Sequence, residues 1–197
     1  KQTHTKKFPL TGNAYQKTLY GVTDFYLIKI GPSGTLLYSS YFGGGGSVDE
    51  NRYDIPYVGV DSNGLVYMAG RARATNFPIK GTAIKTTRED FEGFISIFDT
   101  DNSLSADTMV YSTLIGGSEV DEINNLYIRN NDVYVAGMSE SPASSSLPIT
   151  SNAYQTAKNS SYDAFITKFN YNAAGHLDIL YSTYLGGSGW EQVRSVM

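Results

Sequence analysis

The residues best able to do chemistry in this 197-residue chain are carboxylates that recur at matching places. Asp24 and Asp163 each stand directly before an apolar segment, and Glu92 is the nearest acid in the stretch between them. A second recurring set consists of Asp54, Asp121 and Glu191. If the symmetry of a repeat fold brought such acids together around a centre, their oxygens would form a ring that suits calcium. Because an active site is normally unique whereas these acids recur, we expect them to accept backbone hydrogen bonds, and we predict no cofactor, with calcium as the weaker alternative.

A second candidate for calcium chemistry is the stretch Asp61-Ser62-Asn63-Gly64, which resembles the opening of a calcium-binding loop. Its counterpart one repeat later, Arg129 to Asp132, keeps the turn-forming residues and lacks the first carboxylate. A hairpin turn with Asn or Gly at positive φ accounts for both copies.

Three glycine pairs raise the question of phosphate binding: Gly43-Gly44, Gly116-Gly117 and Gly186-Gly187. A phosphate-binding loop needs a following Lys-Ser or Lys-Thr pair and a helix N-terminus. The string "GGGGSVDE" from Gly43 supplies neither. We therefore expect turns in which glycine provides positive φ.

Nucleophilic and metal-dependent catalysis have little support in the sequence. The chain has no cysteine, and its two histidines are His4, near the start, and His176, in a variable loop. A histidine-based metal site or a Ser-His pair would need partners outside this segment. We predict that the chain is not an enzyme.

The elements that must position these residues are internal repeats. The strings "YSSYFGG", "YSTLIGG" and "YSTYLGG" begin at Tyr38, Tyr111 and Tyr181, a period of about seventy residues. "VYMAG" from Val66 returns as "VYVAG" from Val133 at nearly the same spacing. Two independent anchors at one period indicate a repeat architecture.

Each repeat predicts four short antiparallel strands and no helix, because no window shows a helical apolar stripe. The third strand is apolar on both faces, as in "DFYLIKI" and "GFISIF", which is typical of a sheet covered on both sides. We therefore predict an all-β fold, a partial β-propeller with about three four-stranded blades. The predicted segments are 1–47 (part of a blade), 48–117 and 118–187 (whole blades) and 188–197 (start of the next blade).

The chain resembles the bacterial β-propeller repeat family often abbreviated SBBP. The closest stretches are Val60 to Gly70, Pro148 to Gln155 and Asp163 to Gly187. The resemblance implies a ring of about seven blades, so blades outside these residues, or less favourably other chains, would complete it. It also implies a secreted or surface-exposed bacterial protein, and it supplies no catalytic residues.

Composition and charge argue against two classes of partner, nucleic acid and the membrane interior. The net charge is −4 and the pI is about 5.1, so there is no basic surface for nucleic acid. No apolar run approaches the roughly 18 residues that a membrane helix needs, so we expect no membrane insertion.

Candidate contacts lie where the repeats differ, because loops on a rigid scaffold carry binding. The segment "GGSVDENRY" is longer than its counterpart "GSEV", and the paired arginines of "RARATN" have no match in "MSESPASSS". We expect the only tryptophan to pack between blades, with a partner or sugar contact as the alternative. The candidate contacts are Arg52, Tyr53, Tyr57, Arg71, Arg73 and Trp190.

Three functions remain open from the sequence. The first is a non-catalytic scaffold that binds a partner protein, or the remaining blades, through its variable loops. The second is a glycan-binding propeller that uses the exposed aromatic residues. The third is a part of a propeller enzyme whose catalytic residues lie outside this segment.

Overall fold

The computed structural model describes residues 8–21, 23–45, 55–102, 108–142 and 147–197. These residues form ten β-strands and no helix, which confirms the prediction of an all-β chain. Within them, no helix is long and apolar enough to cross a membrane.

The strands form three antiparallel sheets in chain order. The first sheet has two strands, β1 (Phe25–Ile30) and β2 (Leu36–Phe42). The second has four, β3 (Tyr57–Val60), β4 (Val66–Ala72), β5 (Glu92–Phe98) and β6 (Met109–Ile115). The third has four, β7 (Asp121–Arg129), β8 (Asp132–Ser139), β9 (Asp163–Tyr171) and β10 (Leu177–Leu185). In both four-stranded sheets each strand pairs with the next along the chain.

The turns that join the strands use residues that tolerate positive φ. Gly34, Gly64 and Gly175 have φ between 79° and 85°, and each sits in a turn between paired strands. In the hairpin between β7 and β8 the residue with positive φ is Asn130, with φ 57°. The predicted hairpin turn with Gly or Asn at positive φ is therefore confirmed at both copies, Gly64 and Asn130.

The three sheets pack face to face, with one apolar core between each neighbouring pair. Phe25 of the first sheet stacks on Phe94 of the second, with ring centroids 5.5 Å apart. On the other side, Ile95 and Ile97 of the second sheet join the same buried cluster as Phe165 of the third. The central strand β5 is consequently buried along its whole length, as its two apolar faces predict.

The first sheet differs from that prediction, because another sheet covers only one face of β1, and the Phe8 ring is the aromatic contact of Tyr26 on the other face, at 5.1 Å between centroids. Phe25 and Leu27 are buried against the second sheet, whereas Tyr26 is 59% exposed and Ile30 is 56% exposed. The two strands are apolar on both sides, but no sheet of the described residues packs on this outer face. The burial of β1 therefore alternates where we predicted continuous burial.

In each repeat a segment that we call the strap precedes the third strand and lies along the last strand of the same sheet. The strap residues that pair with the last strand include Gln16, Lys85 and Gln155. The N–H of Tyr41 donates to the carbonyl of Gln16 at 3.2 Å. The N–H of Leu114 donates to the Lys85 carbonyl, and the same bond occurs one repeat later between Tyr184 and Gln155. These hydrogen bonds bring each strap's side chains close to the start of the third strand.

Candidate functional site

The carboxylate before the third strand accepts hydrogen bonds from its own strap. Asp163 accepts from the backbone N–H of Asn159 at 2.9 Å and of Ser160 at 3.1 Å, and from the Gln155 side-chain amide at 2.8 Å. These donors lower the pKa of Asp163, although burial opposes them. The first repeat matches, because Asp24 accepts from the N–H of Tyr20 at 3.0 Å. These recurring acids accept backbone hydrogen bonds, as we predicted.

The glycine after the last strand makes room for this carboxylate. A Cβ on Gly43 would lie 2.8 Å from an Asp24 oxygen, and a Cβ on Gly186 would overlap the carboxylate of Asp163. Within the three pairs only Gly116 has a positive φ, and its value of 159° is close to extended. The prediction that these pairs need positive φ was therefore wrong, and at Gly43, Gly116 and Gly186 the close approach of a carboxylate is the reason for glycine.

In the middle repeat the strap residue and the acid before the third strand form an ion pair. The Lys85 ammonium contacts Glu92 Oε1 at 2.5 Å and also donates to the carbonyl of Gly117. Glu92 aligns with Asp24 and Asp163, because all three directly precede the same strand position. Lys85 thus replaces the strap glutamine of the other repeats, and Glu92 replaces their aspartate. The contact between strap and acid is kept in all three repeats.

A second buried carboxylate lies beside this pair. Asp121 Oδ2 accepts from the N–H of Gly117 and from the Ser141 hydroxyl, each at 2.7 Å. Burial raises the pKa of Asp121, and burial raises that of Glu92 to about 7 in spite of Lys85. The Asp121 charge adds to the rise at Glu92. The cluster joins β5 and β6 to the start of β7, so it links the second sheet to the third.

The loop that resembles a calcium site is a tight turn. Asp61 Oδ1 accepts from the backbone N–H of Asn63 and of Leu65, each at 2.9 Å. Its other oxygen accepts from the Tyr67 hydroxyl at 3.1 Å. In the described part of the chain, no group of three or more His, Cys, Asp or Glu side chains could hold a metal ion.

A groove between the second and third sheets brings together two of the sequence-predicted contacts, Arg71 and Trp190. Its volume is about 560 Å³. The residues that line it are Arg71, Phe91, Val120, Met138, Glu140, Tyr162, Trp190, Glu191 and Gln192. We call this the intersheet groove, and it is our candidate functional site.

The wall formed by the third repeat is an aromatic pair. The rings of Tyr162 and Trp190 lie 4.6 Å apart between centroids and are tilted by 42°. A backbone bridge pairs the same two residues. Trp190 is 81% exposed, so its ring is open to solvent where we expected it to pack between blades. The Glu140 carboxylate, hydrogen-bonded to the Tyr162 phenol, raises the pKa of Tyr162.

The wall formed by the second repeat contains Arg71 and Phe91, and two further arginines lie over the Phe91 ring. The Arg71 guanidinium pairs with Glu122 at 2.9 Å, and the guanidinium carbon of Arg73 lies 4.2 Å from the centroid of the Phe91 ring. Arg88 lies farther from the same ring, at 5.9 Å. Cations therefore surround Phe91.

The other predicted contacts do not join the groove. Arg52 and Tyr53 lie outside the described residues. Tyr57 opens β3, where it pairs with Ala69, and it is not among the residues that line the groove. His176 lies in the hairpin between β9 and β10, where its ring contacts Asn172.

Sequence reasoning missed Phe91, Tyr162 and Glu140. Phe91 and Tyr162 each directly precede the recurring acid, so they occupy the same position in two repeats. Glu140 occupies the place of Arg73 when "VYVAGMSE" is aligned with "VYMAGRAR". Extending that alignment by a few residues would have identified the exchange of charge.

A scan against protein-family models finds no match to this chain, and a search of curated proteins finds no similar protein.

Proposed function

We propose that the chain is part of a β-propeller of the SBBP repeat type. The support is the order of the strands, in which consecutive strands pair within each sheet, together with the face-to-face packing of successive sheets. In this proposal each sheet is a blade, and the two-stranded sheet is a partial one. Secretion or display on a bacterial cell surface is part of the same proposal and rests on the resemblance.

We further propose a non-catalytic interaction module that binds a partner protein at the intersheet groove. One observation carries this proposal: the groove forms where the repeats differ, with Arg71 on one wall and Trp190 on the other. A rigid pair of sheets holds both walls, so variable side chains present a fixed surface. Trp and Arg are among the residue types enriched at the anchor points of protein interfaces.

The buried acids favour binding over catalysis. Asp163 accepts several hydrogen bonds from its own strap, and Asp121 accepts from Gly117 and Ser141. A carboxylate held in this way stabilises a loop, whereas a general base must reach a substrate proton. The exposed groove is therefore the better site for an interaction.

The test is a selection of random displayed peptides on the full 197-residue chain, repeated on two variants. Trp190→Ala removes the exposed groove aromatic, and Tyr154→Ala removes an aromatic that is equally exposed, at 81%, but lies outside the groove. We expect selected peptides to bind the chain and Tyr154→Ala and to lose binding to Trp190→Ala. Peptides that bind all three proteins alike would contradict the proposal.

A second candidate function is glycan binding, which the open Tyr162–Trp190 pair favours. Sugar rings stack on such faces, and Glu140, Gln192 and Arg71 could bond their hydroxyls. A panel of oligosaccharides tested on the same three proteins separates this function from the first. Binding of a sugar that is lost in Trp190→Ala would favour it.

A further inference from the structure

We infer that the intersheet groove takes a basic side chain, an arginine or lysine of a peptide segment, between the Tyr162–Trp190 pair and the Glu140 carboxylate. This inference rests on the proposed interaction function and names the chemistry of the partner.

The chain itself contains the contact that this ligand would make. In the second repeat, Arg73 lies over the Phe91 ring at 4.2 Å, and Arg71 lies 5.6 Å from it. The strand register aligns Ala72, paired with Glu92, with Ser139, paired with Asp163. Tyr162 is therefore the counterpart of Phe91, since each directly precedes that acid.

The guanidinium groups of Arg71 and Arg73 have no cationic counterpart at the aligned positions of the third repeat. By the same alignment Met138 replaces Arg71 and Glu140 replaces Arg73. Phe91 is covered by guanidinium groups in the second repeat, whereas its counterpart Tyr162 lies beside the Glu140 carboxylate in the third. A cation from another molecule would restore the arrangement of the second repeat.

The charge complementary to such a ligand lies on the side of the groove that carries Tyr162 and Trp190, opposite the arginines around Phe91. The one basic lining residue, Arg71, is already paired with Glu122, which leaves the carboxylates of Glu140 and Glu191 on the other wall. Lys158 is near Glu140, but its ammonium donates to the carbonyls of Ser139 and Ser161, at 3.2 and 2.9 Å. The wall of the third repeat therefore carries more negative than positive charge.

The aromatic geometry also fits a flat cation. Trp190 is 81% exposed, and its ring is tilted by 42° to that of Tyr162, so the pair forms an open corner. Arginine stacks on such faces while its N–H groups bond a neighbouring carboxylate.

Trp190 supplies the readout because it is the only tryptophan in the chain. The full chain is titrated with the peptide acetyl-Gly-Arg-Gly-amide, and the fluorescence of Trp190 is followed. The control peptide carries citrulline, which has the shape of arginine without its charge. We expect a saturable change with the arginine peptide and a much smaller one with citrulline.

Variants at one position separate charge from shape. Glu140→Gln should weaken the arginine peptide about three- to tenfold, because it removes the carboxylate partner of the cation. Glu140→Arg should abolish binding, because it supplies the internal cation found in the second repeat. Asp178→Asn removes an exposed carboxylate in the β9–β10 hairpin and should leave binding unchanged.

The outcomes distinguish this inference from the proposed interaction function on which it rests. If displayed peptides need Trp190 but contain no basic residue, and the arginine peptide leaves the fluorescence unchanged, this inference is wrong and the interaction function stands. If neither displayed peptides nor the arginine peptide depend on Trp190, both are wrong. An equal response to the citrulline peptide would also overturn the inference, since charge would then contribute nothing.

Discussion

The smallest repeated unit of this molecule is a carboxylate held against a glycine. Asp24 faces Gly43, and Asp163 faces Gly186, with the strap's glutamine amide bonded to both members of each pair. The glutamine donates to the acid and accepts from the glycine N–H, so three groups satisfy one another. The glycine is needed for space, because any side chain would enter the volume of the carboxylate.

Neighbouring glycines provide a direct test of this role. Gly186→Ala should lower the free energy of unfolding by about 1–3 kcal/mol, because the new methyl would displace the Asp163 carboxylate. Gly187→Ala is the matched control, since its Cβ would meet only a Glu191 oxygen at 3.6 Å. Urea unfolding of both variants measures the difference. Equal losses in the two would contradict the assignment.

Some of these residue-level features could be predicted from the sequence and others could not. The recurrence of the acids predicted a backbone role, because a repeated residue serves the fold. The glycine pairs suggested positive φ, since the sequence carries no information on how closely a carboxylate approaches. Arg71 was a candidate contact, yet its ion pair with Glu122 joins residues 51 positions apart and depends on how the sheets pack.

One cluster of charged side chains joins the second sheet to the third, and it consists of Lys85, Glu92 and Asp121. Glu92 is buried, and its pKa of about 7 lies above the ordinary value of 4.5. The folded protein therefore holds this proton more tightly than the unfolded chain does. Its contribution to stability is full below pH 4.5 and is lost as the pH rises through about 7.

Glu92→Gln tests this linkage. Between pH 5 and pH 8 the chain should lose on the order of 1–3 kcal/mol of unfolding free energy through Glu92, and the variant should lose less. Glu89→Gln removes an exposed charge three residues away and leaves the Lys85–Glu92 pair in place. Urea unfolding at several pH values measures the slopes. If all three proteins had the same slope, Glu92 would not be the responsible group.

Strand positions could be predicted well from the sequence because their signals are local. Apolar runs and the turn residues at Gly64 and Asn130 lie within a few positions of the strands that they bound. The intersheet groove could not be predicted, because its walls come from two different repeats. Tyr162 and Trp190 become neighbours only when the chain after β10 returns to the start of β9.

Among the described residues, the outer face of the first sheet is an apolar surface that no other sheet covers. Tyr26, Ile28 and Ile30 are exposed there, at 59%, 38% and 56%. The equivalent face of β5 carries Phe94 and Phe98, which the first sheet buries. Repeat proteins gain stability from such interfaces between neighbours.

We therefore expect the 197-residue chain, studied alone, to self-associate through this face. Ile30→Lys should shift sedimentation velocity profiles towards the monomer, because a charge on the face opposes apolar contact. Tyr154→Lys, a loop aromatic with 81% exposure, is the control and should leave the profile unchanged. A wild-type chain that is monomeric and melts cooperatively would contradict this expectation.

The straps have a consequence for how such a molecule can grow. Tyr41, Leu114 and Tyr184 each donate a backbone hydrogen bond to a strap, so part of the outer edge of every sheet is already paired. These hydrogen bonds oppose the addition of a further strand at that edge of each sheet, whereas the outer apolar face of the first sheet stays open to packing. A further repeat would therefore add by packing its sheet on an open apolar face, and it would not add strands to the strapped edge of an existing sheet.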